Sequence, residues 1–212
     1  EPPPLSLNKR ELKATLSTQL DNGVLAARHP KQRSMFRMSA GVLRAYRELL
    51  TAEGFTEVQT PKLVASATES GANVFKLDYF GRPAYLAQSP QLYKQVLTGV
   101  FERVFEVGPV FRAEPHDTTR HLSEYVSLDM EMAFIEDHRT VMAMLTKVIR
   151  GILAALAERH AEDLARWDVV MPSAPAEFPI IYFPDAQELI YQRHGVDVRG
   201  EPDLSPQDER WL

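Results

Sequence analysis

The chain contains no cysteine, which excludes disulfides, thiolate zinc sites and cysteine nucleophiles. Its six histidines are scattered, with no His-x-x-x-His pair, so a histidine metal centre is not expected. Neither GxxxxGK[ST] nor GxGxxG occurs, so any phosphate group must be held without a glycine-rich cradle. Positive charge is not in surplus either: 24 Lys and Arg stand against 29 Asp and Glu, a net charge of −5. No global field recruits nucleic acid, and any such contact requires a local patch. No apolar run looks long enough to span a membrane. The opening EPPPLSLNKR lacks the apolar stretch of a signal peptide. A cytoplasmic protein with no membrane partner is expected.

What is present suits a folded domain. With 212 residues, 44% hydrophobic and 25% charged, the chain can bury a substantial core in one or two domains. EPPPLSL reads as a stiff, extended linker. Near the other end, Ser205 and Pro206 read as the N-cap and first residue of a helix. The missing initiator Met, and an end at Trp211-Leu212 just after a helix start, lead us to expect a fragment at both ends.

Between these ends the pattern is α+β. Met35, Met38, Val42, Tyr46 and Leu49 recur at helical spacing and predict a helix over 31–53, stopped by Gly54. Phe55 to Thr60 reads as a strand ended by Pro61, residues 66–75 as a polar loop, and Ala84 to Ala87 as a short strand. Ser89 is the expected N-cap and Pro90 the first residue of a helix reaching about Arg103. Strands over 104–114 and 124–135 follow, joined by PHDTTRHLS. A long helix over 139–166 places Val141, Leu145, Val148, Ile152 and Leu156 on its apolar face. MPSAPAEFP breaks that pattern before a helix around Ala186 to His194.

The two adjacent strands carry the chemistry. Val126, Leu128, Met130, Met132 and Phe134 alternate with Tyr125, Ser127, Asp129 and Glu131, so the acids and the aromatic share one face, while Met130 and Phe134 should pack under helices. If the pair is antiparallel and in register, Val110, Arg112 and Glu114 join the polar face. Such a face is either a solvated sheet surface of mixed charge or the floor of a site; acids and Arg are poor strand formers. In the connecting loop, His116, Arg120 and His121 could fold back over this floor. Arg112 and Arg120 would then clamp an anion with planar guanidinium forks, and Tyr125 could stack on a base. The set fits a nucleoside triphosphate.

At this point a resemblance emerges. FRAE with its strand, loop and strand resembles motif 2 of the class II aminoacyl-tRNA synthetases. GFTEVQTPKL at 54–63 resembles motif 1, and SATESGANVF resembles the loop that closes over the amino acid. AQSPQLYKQ at 87–95 resembles the amino-acid recognition helix of the aspartyl subfamily, and TTRHLSEYVSLDMEMAF is close to its archaeal-type pattern. The resemblance covers residues 19–135 well and the rest loosely. It implies a class II catalytic fold, an antiparallel sheet flanked by helices, incomplete in this chain. Residues 1–30 would be the hinge from an N-terminal OB-fold anticodon-binding domain, and residues 31–212 the first part of the catalytic domain. There are departures: Gly23 and Ala26 stand where the family usually has Arg and Asp, and nothing resembles motif 3.

The resemblance further implies ATP-dependent ligation of L-aspartate to tRNA(Asp), or to both tRNA(Asp) and tRNA(Asn), through aspartyl-adenylate, by a homodimer joined at the motif 1 helix and strand. ATP would meet Arg112, Glu114, Arg120, His121, Leu122 and Tyr125, with Arg112 catalytic at the α-phosphate. Aspartate would meet Glu69, Gln91, Lys94, Arg112 and Asp129. Glu69 and Asp129 would hold the α-ammonium, and Lys94 the side-chain carboxylate. Gln91, Lys94, Gln95 and Thr98 are expected on one polar helix face, where a lysine could equally be solvated. Glu131 could orient Arg112 or belong to a metal shell. Mg2+ would accompany ATP with few protein ligands. The 212 residues alone are expected to be inactive. The alternatives are an asparaginyl-tRNA synthetase or asparagine synthetase-like paralogue, and a non-catalytic tRNA-binding or regulatory module. The asparaginyl enzymes of the family usually lack a lysine at the position of Lys94.

Overall fold

The computed structural model describes residues 5–68, 73–113 and 122–212. Two compact units form, Glu1–Ala174 and Pro175–Leu212.

In the first unit, two short helices, α1 (Leu16–Asp21) and α2 (Gly23–Ala26), precede the long helix α3 (Pro30–Ala52). Helix α3 starts where its chemistry says it should. Pro30 occupies the first turn, where its missing N–H costs nothing, and the His29 ring accepts from Lys31 N. It stops at Gly54, whose φ of 81° favours glycine. The sheet that follows has the order β1 (Thr56–Glu57), β5 (Arg103–Phe111), β6 (Glu124–Met132). Strand β1 runs parallel to β5, and β6 runs antiparallel to it with Glu106 opposite Asp129 and Val110 opposite Tyr125. A second small sheet has β4 (Arg82–Leu86) between β2 (Leu63–Val64) and β3 (Lys76–Tyr79). Phe80 and Gly81 turn the β3–β4 hairpin, both with positive φ, as a tight hairpin twisted to match its strands requires. Asp78 accepts from Gly81 N at 2.8 Å.

The core lies on one side of the larger sheet. Tyr46 and Leu50 of α3, Phe55, Phe105 and Val107 of β5, and Met144 and Val148 of α5 (His138–Arg159) form one cluster. Leu128, Met130 and Met132 of β6 pack against it. Leu128, Met130 and Met132 thus face α3 and α5, while Val126 stays exposed. Phe134 does not face them either: the strand ends at Met132, and Phe134 is 86% exposed with φ 54°. A left-handed residue just past the last strand residue turns the chain out of the pleat.

Other expectations also shift. The strand expected over 55–60 pairs only at Thr56 and Glu57, with one further bond from Val58 N to Phe105 O. The long helix expected over 139–166 breaks at His160 into α5 and α6 (Ala161–Ala165). There the His160 ring bonds Asp163 at 3.1 Å and lies so close to Gly41 of α3 that no Cβ would fit. In α5 the buried residues are Met144 and Val148, while Leu145 is exposed. In α3, Met35 is exposed and Leu50 is buried. Both helices carry more apolar residues than one face holds, so periodicity leaves the phase open by one position. Helix α5 is also long and apolar enough, by length and composition, to cross a membrane. Of that apolar stretch 11% is buried, on the side that meets the core. Met144, Val148 and Ile152 enter the core, and Gly151 lets Leu49 of α3 approach. Ion pairs from Lys147 to Glu53 and from Arg159 to Glu48 tie the two helices along their polar sides.

The second unit is built around α7 (Phe183–His194) and α8 (Pro206–Trp211). Buried Gln187 donates to Val198 O and Glu201 O, both at 2.8 Å, and accepts from Gly200 N. One amide thereby replaces the backbone partners that the loop between the helices lacks. Ser205 and Asp208 complete a capping box. The His194 and Trp211 rings stack at 4.3 Å.

Candidate active site

The face of the larger sheet opposite the core is the polar one. Register sets Val110 against Tyr125, Gly108 against Ser127, Glu106 against Asp129 and Val104 against Glu131. The alignment that the sequence left conditional is met at Val110, while Glu114 lies outside the described residues. Just beyond the last paired residues, Arg112 N donates to Ser123 O at 3.0 Å, which extends the ladder to the half-buried Arg112. Bonds from Phe111 N to Ala87 O and from Ala113 N to Asn73 O pin this end of β5 on its other side. Tyr125 is half-buried on the floor, and Leu122 is exposed.

Helix α4 (Gln91–Phe101) brings a cation to this floor. Its start is built by side chains: Thr68 Oγ1 accepts from Gln88 N at 3.0 Å and Ser89 N at 3.3 Å, and Ser89 Oγ accepts from Gln91 N. Pro90 thus sits at the cap rather than as the first helical residue. One turn in, Lys94 reaches Asp129 at 3.1 Å and Glu131 at 3.4 Å, with its side chain 5% exposed. A solvated lysine is excluded. Ser127 Oγ donates to the other oxygen of Asp129. The expected common polar face divides, because Lys94 and Thr98 are buried while Gln91 and Gln95 are exposed. Gln91 instead lines a hollow of about 390 Å3 with Ser66, Thr68 and Tyr93.

A second ion pair adjoins the first. Glu106 is 1% exposed and accepts from Lys62 Nζ at 2.6 Å and Thr60 Oγ1 at 2.7 Å. Two ammoniums meet three carboxylates here, so these five groups carry one surplus negative charge. Buried charges persist only when paired and hydrogen-bonded, and a surplus anion is a natural seat for an incoming cation. On the core side of the sheet, Tyr46 keeps a buried hydroxyl without a hydrogen-bond partner. Burial, and secondly the Asp129 charge, push its ionisation above the ordinary range.

Of the sequence-predicted residues, Lys94 and Asp129 are in contact, Arg112 and Tyr125 belong to the same hairpin, and Gln91 opens to the neighbouring hollow. Glu69, Glu114, Arg120 and His121, with the loop residue His116, lie outside the described residues. Ser127 was placed on the polar face though given no role, while Lys62, Thr60 and Glu106 were not anticipated. An acid inside VFEVGPVF, an otherwise apolar strand, was the available signal.

A family model of tRNA synthetases class II (D, K and N) matches residues 15–212. The chain belongs to that family. The Aspartate--tRNA(Asp/Asn) ligase of Deinococcus radiodurans is 45% identical over 212 residues, covering all of this synthetase chain and 48% of its own length. That of Methanopyrus kandleri is 43% identical over 94% of the chain and 46% of its own. The chain spans about half the length of these curated relatives. Among solved structures, asparaginyl-tRNA synthetase from Pyrococcus horikoshii, complexed with asparaginyl-adenylate, superposes with a TM-score of 0.87 at 32% identity, over 93% of this chain and 46% of that one. Aspartyl-tRNA synthetase from Entamoeba histolytica gives 0.70 at 32% identity, over 96% and 38%. The fold is thus the class II synthetase fold, present in part.

Proposed function

We propose that the intact protein carrying this chain activates L-aspartate with ATP and transfers it to tRNA(Asp), and to tRNA(Asn) as well. The observation that carries this reading is the buried Lys94 ammonium held between Asp129 and Glu131 beside a hairpin bearing Arg112 and Tyr125. The names of the Deinococcus radiodurans and Methanopyrus kandleri relatives support it. In this reading Asp129, steadied by Ser127, receives the substrate ammonium. The Lys94 ammonium receives the side-chain carboxylate, which displaces the longer of its two ion pairs, the one to Glu131. Arg112 draws the α-carboxylate and the α-phosphate of ATP together while Tyr125 lies under the adenine. The carboxylate attacks the α-phosphorus, the bond to the β-phosphate oxygen breaks, and pyrophosphate leaves. Positioning and neutralisation supply the rate here, with no protein nucleophile. The terminal ribose hydroxyl of tRNA then attacks the acyl carbon and releases AMP. Among the described residues no group of three or more His, Asp or Glu side chains could hold a metal ion. Mg2+ enters only as the companion of the ATP phosphates. A cytoplasmic homodimer joined through α3 and β1 belongs to the same reading.

The test is charging of purified tRNA(Asp) and tRNA(Asn) with labelled aspartate by the intact protein. The reading requires an alkali-labile aspartyl ester on tRNA(Asp). Charging with asparagine alone would replace it by the asparaginyl alternative.

A further inference from the structure

The Lys62–Glu106 pair has no part in the reaction as laid out above. Glu106 lies on the central strand, among apolar neighbours, yet a carboxylate is buried there. Its oxygens are engaged by Thr60 N at 3.3 Å, Thr60 Oγ1 at 2.7 Å and Lys62 Nζ at 2.6 Å. Its cross-strand partner is Asp129, on the same face. Side chains directly opposite interact, and like charges there are destabilising. Two carboxylates can share this site only if each has its own cation, and the structure supplies Lys62 to one and Lys94 to the other. Gly108 leaves room for the first of these. A Cβ there would lie 3.1 Å from Glu106 Oε1 and 3.5 Å from Lys62 Cε.

We infer that Lys62 and Glu106 are positioning residues, a neutral pair that shields Asp129 from its anionic neighbour and leaves Lys94 to the substrate side. This rests on the proposed reading of Asp129 as the seat of the substrate ammonium. Without Lys62, the bare Glu106 carboxylate competes with Asp129 and Glu131 for Lys94 and repels Asp129. Without Glu106, Lys62 competes with the substrate ammonium for Asp129. Either charge alone harms the site, and removing both restores it. A pair that merely anchored the segment after β1 to β5 would show its effect in stability, relieved in the double variant too, and would leave KM for aspartate near the parent value.

The experiment measures pyrophosphate exchange by the intact protein, with KM for aspartate and ATP, in Lys62→Met, Glu106→Gln and the double variant. Each single variant raises KM for aspartate about tenfold and shifts KM for ATP by less than about twofold, as expected for coupled neighbours. The double variant returns KM for aspartate to within about threefold of the parent. If Lys62→Met does not fold, Glu106→Gln and the double variant carry the same comparison. Single variants equal to the parent would overturn the inference, and so would a double variant no better than the singles. A parent that exchanges no pyrophosphate with aspartate would overturn the functional reading and this inference with it, an outcome plainly separate from the other two.

Discussion

Replacing Lys94 with Met leaves the aliphatic stem and removes the ammonium. Two carboxylates then face each other with no cation between them. The Asp129 and Glu131 side chains are 21% and 31% exposed, so water relieves part of the cost. Breaking a fully buried pair costs about 3–5 kcal/mol, and with this partial solvation we expect roughly 2–3 kcal/mol of lost stability. The functional effect is separate and larger in one respect. Aspartate and asparagine are nearly the same size, so shape cannot divide them and charge must. Without the ammonium, preference for aspartate falls by on the order of 100-fold, while KM for ATP stays near the parent value. Pyrophosphate exchange with each amino acid reads the preference, and a urea melt of the same preparation reads the stability. Lys94→Met with an unchanged ratio of kcat/KM for the two amino acids would refute the reasoning.

Arg112→Ala, which removes the guanidinium aimed at developing charge, lowers exchange by on the order of 10²–10³; activity within a few-fold of the parent would remove Arg112 from the mechanism. In the second unit, hydrogen bonds from the Arg199 side chain, and secondly its backbone N–H, hold the Asp197 carboxyl down at about 2 against an ordinary 3.8. A lowered carboxyl stabilises the fold above the ordinary value and loses that contribution as pH falls from 3.8 towards about 2. Carbon NMR should place the Asp197 midpoint near the low end, and Arg199→Gln should return it towards ordinary; a parent midpoint at the ordinary value would contradict the geometry.

The sequence made β6 legible because alternation along it assigns each side chain to a face, and β5 because it is a short, nearly continuous apolar run preceding β6 in the hairpin. It also located the start of α8, where Ser205 and Pro206 act locally, and placed the start of α3 within one residue from its apolar spacing. It did not disclose β1 or β2 at their true extent, since two-residue strands carry no period and exist only through their partners. The faces of α3 and α5 were read only in part, with Tyr46, Val148 and Ile152 in the core as expected. Leu49 and Leu50, or Met144 and Leu145, compete for the core, and only the neighbouring helix chooses between them. At the site, Lys94 and Asp129 were nameable from motif and chemistry. That a second lysine, 44 residues from Glu106, would settle over Gly108 was not, because tertiary pairing alone brings them together.

The central claim is that a buried ammonium on the β5–β6 floor selects a carboxylate substrate. Its most direct test is the ratio of kcat/KM for aspartate over asparagine in pyrophosphate exchange by the unaltered, intact protein. The account predicts a ratio on the order of 100 or more. A ratio near one, or a preference for asparagine, would contradict it.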